Sequence, residues 1–282
     1  MTKITSVLFA LVVTVFVSLT CALPVYAQRV FVSGSGSDSN PCTVAAPCRS
    51  FQQAFNTAPD NGEIDVLDPA GYGPLTITHG ISIQAHGFGG ISAISGATAI
   101  TINISTSDPV TLNGLLIDGA GSGQNGIEIS EGAAVQIVNS VVRHFTGYGI
   151  SFQPSNNPSN LLVSGTVASD NNTGIFIAPG NNVSTVTTTL SGITANDNSA
   201  NGVTVASAYT MIAKSVMSNN SGAGLIDLGG EIWLARSTIS DNGYGVDVVA
   251  GPVNSYGDND INANAANVNV SGTGSFNKAS TQ

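Results

Sequence analysis

Charge is scarce in these 282 residues. Asp, Glu, Lys and Arg together make up 9%, against roughly 25% in an ordinary soluble domain. Seven residues are Lys or Arg and 17 are Asp or Glu, for a net charge of −10. Binding to nucleic acid through its phosphates needs a basic footprint and is disfavoured. Beyond the first 27 residues no apolar run reaches the 18 or so residues that a spanning helix requires. Disorder is also disfavoured, because hydrophobic residues are 42% of the chain and mean hydropathy is +0.24. What is abundant is Gly, with 33 residues, and Asn, with 27. The chain is rich in turns and poor in the charged residues of a solvated helical surface.

Residues 1–27 read as a secretory signal peptide. Lys3 gives a positive start, Val7 to Val17 is apolar except for Thr14, and Val25-Tyr26-Ala27 supplies a cleavage tripeptide. Ser18-Leu19-Thr20 before Cys21 fits a lipobox poorly, so cleavage is expected after Ala27. The mature chain would be exported, to the periplasm or beyond, with a net charge near −11. In an oxidising compartment Cys42 and Cys48, six residues apart among two prolines, read as a small structural disulfide loop. A metal site would need further Cys or His nearby, and the sequence has none there. Ser50 to Ala58 carries Phe51, Ala54, Phe55 and Ala58 on one helical face, with Ser50 as N-cap and Pro59-Asp60-Asn61-Gly62 as the stop. Residues 28–61 are therefore expected to form a disulfide loop and a helix covering one apolar end of the downstream chain.

Residues 62–282 repeat. Gly, an aliphatic residue, a variable residue and an apolar residue recur at Gly126-Ile127-Glu128-Ile129, Gly149-Ile150-Ser151-Phe152, Gly174-Ile175-Phe176-Ile177, Gly202-Val203-Thr204-Val205 and Gly245-Val246-Asp247-Val248. Gly224-Leu225-Ile226-Asp227-Leu228 is a variant with one extra residue. A small residue followed two places on by an apolar one precedes each of these units after the first. About 22 residues at ~3.3 Å each make a contour of roughly 70 Å, one turn of a wide coil of short strands. Periods of 20–50 residues of this kind mean a solenoid. Stacked coils predict an internal ladder of Ile127, Ile150, Ile175, Val203 and Val246, and another of Val142, Val167, Ile193, Met217 and Ile239.

The Ser-x-Val/Ile…Asn…Gly-Ile/Val-x-Ile/Val repeat resembles the right-handed parallel β-helix, or pectate-lyase-like, superfamily. Asn40-Pro41-Cys42…Pro47-Cys48-Arg49-Ser50-Phe51 with Gly62-Glu63-Ile64-Asp65-Val66 resembles the start of small exported bacterial members without an assigned activity. The resemblance implies an all-β solenoid and leaves the reaction open, because this scaffold carries lyases, hydrolases, epimerases, adhesins and inert proteins. The catalytic motifs of polygalacturonase-like, pectate-lyase and alginate-epimerase members do not occur in the sequence.

Individual candidates remain. Lys214 and Arg236, 22 positions apart, each precede the small residue of their coil, and as stacked neighbours they could hold a carboxylate or otherwise cap turns or pair with Asp227 or Glu231. Trp233, between Ile232 and Leu234, points outward by alternation and suits stacking on a sugar or simple cover of a coil edge. Aligning Ile226 with Val246 and Leu228 with Val248 places Asp227 and Asp247 outward on adjacent coils, as an acid–base pair or as a solvated acidic face. No cofactor is implied. Asp258-Asn259-Asp260 has oxygens that calcium favours but lacks a spaced ligand loop and reads as a turn. His79 and His144 read as ordinary surface residues. Three functions stay open: a module binding polysaccharide or a cell-surface glycan, a divergent lyase or hydrolase of acidic polysaccharide, and an inert or adhesive solenoid.

Overall fold

The computed structural model describes residues 28–104, 108–132, 134–155, 159–180 and 186–279. The expected signal peptide lies outside them. The described residues form a parallel β-solenoid with one short helix. A representative coil has three faces: face A is Ser159–Ser164, face B is Val167–Ser169 and face C is Thr173–Ile177. Each strand pairs in parallel with its equivalents in the coils before and after. Parallel strands one coil apart stack at ~4.8 Å, so side chains in register form rows along the solenoid.

The inward rows are aliphatic. On face C, Ile127, Ile150, Ile175, Val203, Leu225 and Val246 follow one another in register, all buried. On face B the inward row is Ile117, Val142, Ala168, Ala195, Met217 and Ile239. Val167, expected in this row, stands instead on the outward side, in register with Val141 and Thr194. Ile193 is buried at the corner before its strand. The corners before these two strands are longer than the small-residue signature suggests, by one residue before Ala168 and by two before Ala195.

Polar ladders hold the corners. At the turn from face B to face C, the backbone N–H groups of Asn171, Asn198, Asn220 and Asn242 donate to the side-chain oxygens of Asn198, Asn220, Asn242 and Asn264 at 2.9–3.1 Å. Their Nδ2 atoms donate back to the carbonyls of Val142, Ala168, Ala195 and Met217. An amide both donates and accepts, which is what a buried turn repeated at every coil requires. Between faces A and B, Ser215 N–H donates to Ser237 Oγ at 3.2 Å, and Ile193 N–H to Ser215 Oγ at 3.3 Å. Each such corner forces a left-handed residue: Lys214 and Arg236 at one, His144, Asp170, Asp197, Asn219 and Asp241 at the other.

The beginning of the solenoid is closed. Helix α1, Phe51–Thr57, is N-capped by Ser50 and buries Phe51, Ala54 and Phe55. It packs on Arg29–Val32, Gly62–Val66 and Leu75–Ile77. Cys42 and Cys48 form the expected disulfide. Their loop bonds to the free edge of the first strand, through Phe31 N–H to Cys42 O and Cys48 N–H to Phe31 O. Asp38 holds that loop on the helix start, accepting from the Arg49 and Ser50 N–H groups and from Ser50 Oγ.

Candidate functional site

The outward side of face A carries the chain's one tryptophan, Trp233. In the strands Tyr209–Ala213 and Glu231–Ala235, Tyr209 is in register with Glu231 and Met211 with Trp233. Alternation buries Ile232 and Leu234 and turns Trp233 outward, as expected. Trp233 Nε1 donates to Glu231 Oε1 at 3.1 Å, and its ring lies against Tyr256 with centroids 5.6 Å apart. Tyr209 is 56% exposed. Tyr209, Trp233 and Tyr256 thus come from three successive coils. Tyr209 lines a depression of about 390 Å3 together with Gly229, Gly230, Glu231, Gly251 and Pro252.

Lys214 and Arg236 border the same face. Lys214 N–H donates to Ala235 O, so the two stand one above the other at the corner, both exposed. Arg236 has a positive φ of 48°, and this left-handed turn is the bend that lets it face solvent after Leu234 and Ala235. Neither side chain forms an ion pair among the described residues. Asp258 and Asn259 cap this corner by accepting from the Arg236 and Ser237 N–H groups.

Asp227 and Asp247 do not form a pair on the outer surface. The register aligns Leu225 with Val246, Ile226 with Asp247 and Asp227 with Val248, and then shifts at Leu228. Asp227 therefore occupies the second inward position of the repeat, between Val205 and Val248, and is 0% exposed. Leu228, which the sequence pattern assigns to that position, pairs with Ala250 across a register shift that leaves Val249 of the next coil unpaired, and is 44% exposed. The carboxylate decides this. Its Oδ1 accepts from the Gly229 and Gly230 N–H groups at 3.0 and 2.7 Å, which fixes a tight Gly-Gly turn. A Cβ on Gly230 would lie 2.8 Å from Ala208 O, so only glycine fits. Oδ2 has no hydrogen-bond partner among the described residues. Burial pushes the Asp227 carboxyl above its ordinary pKa, and the two glycine N–H groups reverse this only in part. Asp247 stands outward on face C, accepting from Asn269 at 2.8 Å.

A second polar group was not legible as one in the sequence. Asp118 accepts from Arg143 Nε at 3.0 Å, from the Ala120 N–H at 2.8 Å, and lies 3.1 Å from His144 Nδ1. Burial raises the pKa of Asp118, but the Ala120 N–H, His144 and Arg143 outweigh it and hold the carboxyl below its usual value. His144 borders a depression of about 340 Å3 lined also by Asp170 and Asp197. An imidazole whose Nδ1 faces a carboxylate has its tautomer set and its Nε2 left for other chemistry. The separations of 25 and 26 between Asp118 and its partners match the coil length, and that periodicity was the available signal. His79 and His86 likewise lie 3.5 Å from Asp60 and Asp65.

No family model and no curated protein matches this sequence. Solved structures do. Pectate lyase Pel9A superposes with a TM-score of 0.62 at 15% identity, over 92% of this chain and 80% of that one. A rhamnogalacturonan lyase gives 0.47 at 11% identity, over 80% and 81%. The A-module of Azotobacter vinelandii mannuronan C-5 epimerase AlgE4 gives 0.40 at 13%, over 79% and 91%. The fold is a pectate-lyase-like parallel β-helix. At such identities the likeness to Pel9A extends to the fold alone.

Proposed function

We infer that this protein is a glycan-binding β-solenoid and that its binding face is the outward side of face A around Trp233. The observation that carries the reading is the ring contact of Trp233 with Tyr256 on a rigid parallel sheet, with the exposed Tyr209 of the preceding coil lining an open depression. Aromatic rings offer an apolar face with a polar edge, the combination that packs against the C–H face of a pyranose. Glu231, fixed by the indole N–H, supplies an acceptor for sugar hydroxyls. Lys214 and Arg236 form no ion pair among the described residues and stand at the edge of the same face, where they receive an anionic substituent such as a uronate carboxylate. The pectate in the name of pectate lyase Pel9A is consistent with this class of ligand. Binding of the purified protein to a glycan array tests the reading. Trp233→Ala should weaken any hit about tenfold or more with unchanged melting, and an unchanged affinity would remove the basis for this face.

A second reading, polysaccharide cleavage, is favoured by the Asp118–His144 contact at the edge of its own depression. Under that reading His144 moves the proton, oriented by Asp118, and the residues at work are not Asp227 and Asp247. New reducing or unsaturated sugar ends that vanish in His144→Gln would establish it.

A further inference from the structure

The buried Asp227 and the strand of Trp233 meet at one corner. The Gly229–Gly230 turn that the Asp227 carboxyl holds leads directly into Glu231–Ala235, which carries Trp233. Two acceptors at this corner have no donor among the described residues. One is Asp227 Oδ2, on a fully buried side chain. The other is Gly230 O, and the sequence supplies the reason. In the coils on either side, the N–H of the first residue of face A donates across the corner, Glu231 to Ala208 O at 3.0 Å and Ser275 to Gly251 O at 2.9 Å. Pro252 takes that place in the coil between, in register with Ser275, and proline has no N–H to give to Gly230 O. Both oxygens lie against the same glycine: a Cβ on Gly251 would be 2.2 Å from Gly230 O and 2.8 Å from Asp227 Oδ2. Buried acceptors left without a donor are costly, and two at one place call for a shared one.

We propose that a proton on Asp227, shared between Oδ2 and Gly230 O, locks this corner, and that its loss loosens the start of the Trp233 strand, so that the face around Trp233 responds to pH. A neutral carboxyl donates from Oδ2 while Oδ1 keeps the Gly229 and Gly230 N–H bonds. Once ionised, Oδ2 is a charged acceptor beside a second acceptor in the interior. Burial favours the neutral form, the two glycine N–H groups oppose it, and no charged side chain contributes. The residues stacked on Asp227 are Val205 and Val248. The titratable groups on the strands around it are Tyr244 and Asp247, on the exposed side of the next coil, and Tyr209 and Glu231, which line the depression. The consequence for a ligand rests on the glycan reading of this face: the locked corner is the binding-competent one.

Trp233 is the only tryptophan, so the fluorescence of the purified protein without any ligand reads this corner directly. Its emission should change in a step as pH rises, with a midpoint above the ordinary carboxyl range of about 4 and an unchanged strand signal in circular dichroism. Asp227→Asn has an amide that can donate to Gly230 O at every pH, and it should hold the acid-form emission throughout. Pro252→Ala restores an N–H for Gly230 O and takes away the proton's acceptor, so its step should move to lower pH. Glu231→Gln removes the carboxylate that touches the indole and should keep the step. A wild type without a step above that range overturns the proposal, as does a step that Asp227→Asn retains, that Pro252→Ala leaves unmoved or that Glu231→Gln abolishes. Affinity for a glycan bound by the array should fall by up to about tenfold per pH unit above the step. A bound glycan whose affinity ignores the step overturns the coupling to the face, whereas an array without a hit counts against the glycan reading alone, because the fluorescence step is read without ligand.

Discussion

Asp227 shows how one side chain overrides a pattern. Its position in the repeat is aliphatic in neighbouring coils, Val205 before it and Val248 after it. A buried carboxyl with a raised pKa binds its proton more tightly folded than unfolded. Below an unfolded pKa of about 3.9 both states are protonated, and as pH rises the unfolded chain ionises first, so this group's contribution to stability falls. Asp227→Asn keeps the oxygen that accepts from Gly229 and Gly230 but cannot ionise. Its melting temperature should exceed that of the wild type by a margin that widens from about pH 4 to pH 7. A margin independent of pH would show that Asp227 carries no excess proton in the fold. Asp118 has the opposite sign: its lowered pKa stabilises the fold above about pH 4, and that contribution is lost as pH falls through the folded value. Asp118→Asn should therefore cost most near neutral pH and least in acid, which the same melts would measure.

At the scale of the elements, stability resides in rows rather than in single strands. Ile239 lies between Met217 and Ile261 and is fully buried. Ile239→Asp removes an aliphatic group worth roughly 1.5–3 kcal/mol and buries a carboxylate without a partner. Denaturation should show severe destabilisation, whereas Thr238→Lys, one place earlier on the outward row, should change stability by less than about 0.5 kcal/mol. The asparagine row makes the same point for polar groups. Asn220 accepts from the Asn198 N–H and donates to Ala195 O. Asn220→Ala leaves both unpaired in the interior, and each is expected to cost about 1–3 kcal/mol in urea unfolding. The disulfide closes a loop with a sequence separation of only 6. Reduction should cost no more than about 2–3 kcal/mol, with faster amide exchange confined to α1 and the first strand.

Over the whole molecule the described residues build a solenoid with a covered beginning and an aromatic face. Contacts run from each coil to its neighbours, so stability accumulates coil by coil and depends on covered ends. A chain beginning at Gly62 lacks α1 and the disulfide loop and exposes Ile64 and Leu75. It should be recovered as aggregate, and a monodisperse folded product by size exclusion would show that the solenoid needs no cover there.

The sequence by itself determined the solenoid, its coil length, the covering helix and the outward turn of Trp233. Those features rest on local periodicity: alternation within a strand, a helical face of four residues, and a repeat that fixes which residues stack. It also brought Lys214 and Arg236 together, because their separation equals one coil. The tertiary structure decided what local pattern leaves degenerate. Whether the extra residue near Asp227 falls before or after the carboxylate moves that side chain from the surface to the core, since a one-place slip reverses every side chain of a strand. Only the Gly229–Gly230 turn and the preceding coil settle that choice. The Asp118–Arg143–His144 group, and the meeting of Trp233 and Tyr256, depend on the same coil-to-coil register, in which residues more than 20 positions apart become neighbours only once the corners have fixed the length of each coil.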